Sequence, residues 1–183
     1  SMVMVERKVQ SWINSGPIDI QRQWRSWENL SSNAKLAVIS AEDKRFPQHR
    51  GFDFVEMRRA WEASRDGERL RGASTLSQQT AKNVFLWSGR SWVRKGLEAW
   101  FTLLIETLWG KQRILEVYLN VAEWDTGVFG LEAAANHYFG ASGSALTERQ
   151  ASLLAAILPS PRTRSASRPD AQVERRGQWI RQQ

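Results

Sequence analysis

The chain has 183 residues, 42% of them hydrophobic, enough for one domain with a real core and too many for disorder over most of its length. Lys and Arg outnumber Asp and Glu by 26 to 19, a net charge of +7 that suits an anionic partner such as nucleic acid, lipid headgroups or a phosphorylated substrate. The absence of cysteine excludes disulfides, thiolate zinc sites and cysteine nucleophiles, and two histidines, His49 and His137, argue against a multi-His metal site.

Helical periodicity dominates, and no stretch shows the alternation of a strand. Met2 to Ile13 reads as a short amphipathic helix, halted at Ser15-Gly16-Pro17. A second helix starts at Ser31 or Ser32 and runs to an acidic end at Glu42-Asp43, followed by a polar loop from Lys44 to Gly51. Asp53 and Glu56 have capping-box spacing for a helix carrying Val55, Met57 and Trp61. The charged, Gly-containing stretch Asp66 to Ala73 is a loop, and Ser74 is expected to cap a helix from Thr75 to Phe85. Ser91 opens the longest segment, in which Val93, Leu97, Phe101, Leu104, Ile105 and Leu108 mark a buried stripe that ends at Gly110. Lys111 to Val121 is again helical, Trp124 to Gly127 irregular, and Gly130 to Tyr138 Ala-rich and buried. Thr147 and Gln150 form a second capping box for Ala151–Leu158, which stops at Pro159 and Pro161. The fold class expected is all-α, with one domain over 1–183 and a basic tail over 162–183.

Ten of the aromatic residues are Trp, a side chain favoured at membrane–water interfaces. No apolar run reaches the 18 residues a membrane span needs. Ser1-Met2 has the form of a cleavage scar, so a signal or anchor segment upstream is expected to have been removed.

Three polar clusters stand where the hydrophobic pattern does not require them. Glu42 and Asp43 close a buried-looking helix at the unfavourable, negative end of its dipole, and partial burial beside Phe46 would raise a carboxyl pKa into the range of a general base or acid. The bland alternative pairs them with Lys44, Arg45 or His49 at the surface. In the second cluster, Ser74 and Thr75 start a helix whose free N–H groups could meet an anion, with Gln78, Gln79, Lys82 and Asn83 following. An ordinary capped helix has the same composition. The third comprises Arg90, Arg94, Lys95 and Glu98; Arg94 and Glu98 read either as an exposed ion pair or as part of a cationic grip on a diphosphate. Two carboxylates in different surroundings, with Lys82, Arg90, Arg94 and Lys95, form an inventory suited to sugar transfer. A base activates the attacking hydroxyl, and positive charge takes the leaving group.

The order of these residues resembles glycosyltransferase family 51, the peptidoglycan glycosyltransferases. Glu42-Asp43-x-x-Phe46-x-x-His49-x-Gly51 is similar to the family's first signature, and Gly72-x-Ser74-Thr75-x-x-Gln78-Gln79-x-x-Lys82-Asn83 to its second. Arg94-Lys95-x-x-Glu98 resembles the third, Lys111-x-x-Ile114-Leu115-Glu116-x-Tyr118-Leu119-Asn120 the fourth, and Gly130-x-x-Ala133-Ala134-x-x-x-Tyr138-Phe139-Gly140 the fifth. The run from Lys82 to Glu98 looks most like the monofunctional biosynthetic branch of Gram-negative bacteria.

The resemblance implies a lysozyme-like helical fold with a small membrane-contacting jaw subdomain, here about 52–73, and polymerisation of lipid II into glycan strands with release of undecaprenyl diphosphate. It casts Glu42 as the base of an inverting attack and Glu98 as a second essential carboxylate, either orienting cations or holding a metal such as Mg or Mn. Lys82, Arg90, Arg94 and Lys95 fall at diphosphate positions; Phe46, Ser74, Gln78, Gln79 and Asn83 fall at substrate-cleft or structural positions. Expected partners are lipid II, the growing strand, the membrane surface and other cell-wall synthases or division proteins, with no organic cofactor and no nucleic acid. The expected location is the periplasmic side of a bacterial inner membrane. A lysozyme-like hydrolase or lytic transglycosylase of finished peptidoglycan is the alternative; a Trp-rich nucleic-acid module fits the charge but lacks any reading motif.

Overall fold

The computed structural model describes residues 1–14, 16, 18–65, 74–89 and 91–183, and among these the chain forms nine α-helices and one small sheet. The order is α1 (Met2–Asn14), β1 (Gln21–Arg22), a 3-10 turn (Trp27–Asn29), α2 (Ser32–Glu42), α3 (Phe54–Arg65), α4 (Leu76–Phe85), α5 (Trp92–Leu108) and α6 (Lys111–Val121). It continues with β2 (Glu123–Asp125), β3 (Val128–Phe129), α7 (Leu131–Phe139), α8 (Glu148–Ile157) and α9 (Ala171–Arg181). The architecture is mostly α, as the helical reading of the sequence requires.

Ile114 to Val121 are all buried, so α6 runs through the interior, and its polar residues need partners there. Asn120 exchanges hydrogen bonds with the backbone of Arg25 at 2.8 and 2.9 Å, and Arg113 pairs with Glu116 at 3.0 Å. Leu119, Ile114, Trp124, Leu131, Leu153, Leu154 and Ile157 fill the core around it, each burial stabilising by about 1.5–3 kcal/mol. Helix α4 packs on both α5 and α6, and α8 packs between α2 and α9.

A three-stranded sheet in the order β1-β3-β2 departs from the purely helical expectation. Gln21 and Arg22 pair in parallel with Val128 and Phe129, while β2 and β3 form an antiparallel hairpin with an irregular register. Strands of two or three residues are too short for alternation to show. Gly130, at φ 84°, ends the hairpin where a Cβ would come within 2.9 Å of the Asn120 carbonyl oxygen and clash with it.

Four further expectations are corrected. Thr75, not Ser74, caps α4: Gln78 sits three residues after Thr75, and both arms of the capping box form. Thr75 also donates its hydroxyl to the Gly51 carbonyl at 2.6 Å. At α3 the box is half made: Asp53 accepts from the Val55 and Glu56 N–H groups, but Glu56 turns to Arg59. The expected stripe of α5 holds only in part: Ile105 is buried and Phe101 packs against the core, but Val93, Leu97 and Leu108 are exposed, and Glu98 and Thr102 are buried instead. Finally, the basic tail contains a packed helix. Val173, Gly177 and Ile180 of α9 are buried against the body, and Arg181 donates to Ser152 Oγ at 2.8 Å. The predicted loop 66–73 lies outside the described residues.

Candidate active site

The polypeptide leaves α2 through a tightly tied turn. Asp43 is buried, and its carboxylate takes the Leu76 N–H at 2.9 Å and His49 Nε2 at 2.9 and 3.0 Å. These contacts join the end of α2 to the start of α4 and give His49 the loop-fixing role its isolation in the sequence suggests. Gly51, at φ 86°, lets this loop press against α5, where a Cβ would come within 2.8 Å of Thr102.

Held by that turn, Glu42 presents its carboxylate to a groove of about 1060 Å³ that is lined by Asp53, Arg59, Ser74, Arg176 and Trp179 among others. Gln79 Nε2 donates to Glu42 Oε2 at 3.2 Å, and the Arg176 guanidinium lies 3.6 Å from Oε1. Burial pushes the Glu42 carboxyl above its ordinary range; the Gln79 hydrogen bond and the charge of Arg176 pull it back, Asp43 adds to the rise, and Lys82 opposes it. The net direction is upward, which suits a base that must accept a proton near neutral pH.

One turn beyond Gln79, Lys82 faces a second cluster. On α5, Glu98 is buried between Arg94, at 3.1 Å, and Lys95, at 2.5 Å. Burial lowers the Lys82 pKa; Glu98 raises it, Arg94 and Lys95 lower it, and Glu42 raises it. The charges of Glu42 and Glu98 both favour the protonated form of Lys82, which stands three residues beyond Gln79 on α4. A smaller depression of about 300 Å³ opens beside Trp92, Arg94 and Lys95. Arg90 lies outside the described residues.

Of the expected site residues that are described, Glu42 and Ser74 line the larger groove, Arg94 and Lys95 line the smaller depression, and the others line neither. Phe46 is 2% exposed; it supports the site from below, edge-on to His49 and with the Lys111 ammonium 4.5 Å from its ring centre. Gln78 is buried, and its carbonyl oxygen accepts the Thr75 N–H at 3.0 Å, so it builds the helix start. Ser74 is exposed and offers its carbonyl to Gln79 at 3.4 Å; Asn83 is half-buried beside Lys82. Arg176 and Trp179 were not singled out from sequence. The Arg richness of their segment is visible there, but nothing local aims one of its arginines at Glu42.

A divalent ion on Glu98 does not fit these surroundings, because two cationic side chains already neutralise that carboxylate and Lys82 stands nearby. Asp43, His49 and Asp53 bring potential ligand atoms within 4.8 Å of one another, yet their carboxylates are committed to His49, the Leu76 N–H, Arg45 and the α3 N-terminus.

A mostly helical body that carries a groove-facing acid and a cationic cluster suits the class of glycosyltransferases. Residues 9–183 match the family model described as Transglycosylase, and the chain belongs to that family. It is similar to proteins named biosynthetic peptidoglycan transglycosylase. Identity is 67% in Chromohalobacter salexigens and 63% in Pseudomonas aeruginosa, each covering all of this chain and 78% or 79% of the relative. A Pseudomonas fluorescens relative is 62% identical over 99% of this chain and 75% of its own length.

Proposed function

We propose that this protein polymerises lipid II into glycan strands at the outer face of a bacterial inner membrane, Glu42 acting as base and Lys82, Arg94 and Lys95 receiving the diphosphate. The observation that carries this reading is a largely buried Glu42 that faces the groove and accepts a hydrogen bond from Gln79, with Lys82 about one turn further along the same helix α4. Glu42 takes the proton of the acceptor sugar hydroxyl as its oxygen attacks the donor anomeric carbon from the face opposite the diphosphate. The C–O bond to the diphosphate breaks with inversion, and the cations neutralise the charge that develops on the departing oxygens. Arg90 joins them by its place in the third cluster. Glu98 keeps Arg94 and Lys95 together in an orientation they would otherwise leave by mutual repulsion.

The membrane supplies the substrate in two dimensions, and the surface suits it. Seven tryptophans are exposed, including Trp12 on α1, Trp61 on α3 and Trp92 and Trp100 on α5. Helix α3 buries none of its residues, and Arg58 and Arg59 interrupt its exposed Phe54, Met57 and Trp61; apolar groups flanked by cations suit anionic headgroups. We assign α3 to the small membrane-contacting subdomain. Among the described residues no helix is long and apolar enough to cross a membrane.

The test is incubation with labelled lipid II, with and without EDTA, followed by gel separation. Long glycan chains are expected, and the EDTA arm reads whether Mg or Mn contributes. Muropeptide release from purified sacculi with no polymer from lipid II would establish the lytic alternative instead; the cation cluster disfavours it, since hydrolysis leaves no diphosphate to hold.

A further inference from the structure

Tyr118 lies on α6, beneath the site, and lines neither the groove nor the smaller depression. It is 2% exposed, and burial holds its phenol well above the usual range, so the side chain is a neutral hydroxyl at any working pH. That hydroxyl donates to Gln79 Oε1 at 3.1 Å. The Gln79 amide has two N–H groups, and they go to Glu42 Oε2 at 3.2 Å and to the Ser74 carbonyl at 3.4 Å. Turned over, the amide would aim its oxygen at a carboxylate and a carbonyl, two acceptors, so only one orientation satisfies all three neighbours. Of the three, Tyr118 alone is anchored in the deep core, within a helix segment buried from Ile114 to Val121. Gln79 itself is half-buried, with three side-chain torsions to lose.

We propose that Tyr118 is a positioning residue for the reaction: its hydroxyl locks the Gln79 amide so that one N–H stays on the Glu42 carboxylate and fixes the oxygen that receives the acceptor proton. The proposal rests on the reading of Glu42 as the base. It separates cleanly from other influences on that carboxylate. The charged groups facing Glu42 are Asp43 at the end of its own helix, Lys82 from α4 and Arg176 from α9, and none comes from α6. Tyr118→Phe therefore removes no charge and no groove-lining atom; the phenol lies within the field of Glu42, and its hydrogen bond reaches that carboxylate through Gln79. With its oxygen unsatisfied, the amide samples other rotamers, and the N–H bond that favours the carboxylate form is weakened. The Glu42 titration then moves to higher pH.

The test uses the full chain as wild type, Tyr118→Phe, Gln79→Ala and the double variant. Polymerisation of labelled lipid II is followed across pH, and the Glu42 carboxyl is titrated by carbon NMR in the free protein. For Tyr118→Phe a loss of about tenfold in kcat with little change in KM is expected. The acid limb of the rate profile and the Glu42 midpoint should both move to higher pH. In the Gln79→Ala background, Tyr118→Phe should have no further effect on either. An unchanged Glu42 midpoint overturns the proposal, whatever happens to rate or Tm, because a merely structural role for the hydroxyl would lower Tm without moving that midpoint. Effects of the two substitutions that add would overturn it too. Should the wild type fail to polymerise lipid II, the functional reading falls, while the carboxyl titration still decides whether Tyr118 controls Glu42.

Discussion

Arg176 and Glu42 meet across the groove at 3.6 Å, a contact between the C-terminal helix and the first signature. Arg176 also donates to the Ala41 carbonyl at 3.3 Å, so its guanidinium both closes the end of α2 and faces the proposed base. The Lys44 ammonium, 4.4 Å over the Trp179 ring, adds a second tie between the same two segments. A helix outside all five signatures thus forms one wall of the site.

Removing that positive charge should weaken the ionised form of Glu42. Arg176→Ala is expected to raise the Glu42 pKa further and to shift the acid limb of the polymerisation profile upward. The rate loss should be about threefold to tenfold on the acid side and smaller at alkaline pH. Arg176→Lys should restore part of the shift. A full pH–rate profile of both variants checks this, and an unmoved acid limb for Arg176→Ala would disprove the charge effect.

Glu42→Gln should reduce polymerisation by about 10²–10⁴-fold, the usual span for loss of a positioned base. Its effect on stability has the opposite sign. Because burial raises the Glu42 pKa in the fold above its ordinary 4.5, the ionised carboxylate opposes folding, and that penalty is present once pH exceeds the raised value. Thermal unfolding should show Glu42→Gln at least as stable as wild type at neutral pH. The difference should disappear below the ordinary carboxyl range, where Glu42 is protonated in both folded and unfolded chains.

Glu98→Gln leaves Arg94 and Lys95 without their shared counter-charge and takes from Lys82 the group that raises its pKa. Lys82 should deprotonate at lower pH, so the basic limb of kcat/KM moves down. Stability should fall by about 3 kcal/mol, since the Glu98–Arg94 pair is largely buried. Denaturant unfolding and the pH dependence of kcat/KM read the two effects separately.

Trp92 is 92% exposed and Trp100 58% exposed on α5, so replacing both with Ser removes apolar surface without opening the core. Co-sedimentation with vesicles of anionic lipid should weaken by about tenfold, with Tm unchanged. Binding equal to wild type would locate membrane contact elsewhere on the molecule.

Local signals carried much of this protein's design. Ser31 caps α2, Ser91 caps α5 and Thr147 with Gln150 begins α8 because each cap is an interaction within one turn, readable from spacing alone. The carboxylates and cations of the site were legible for a similar reason: a charge placed inside a helical pattern marks itself. Orientation was not. The apolar residues of α5 look like a core stripe by period, yet only Ile105 and, in part, Phe101 turn inward with Glu98 and Thr102, because period specifies that a helix has two faces and not which of them a neighbour covers. Likewise the sequence leaves Phe46 between a cleft and a structural position, and packing buries it beside His49; Arg176 reads there as one charge in a basic tail. Which atoms gather around Glu42 depends on α4, α6 and α9 arriving from distant parts of the chain, and only their packing brings Gln79, Tyr118 and Arg176 within reach of one carboxylate.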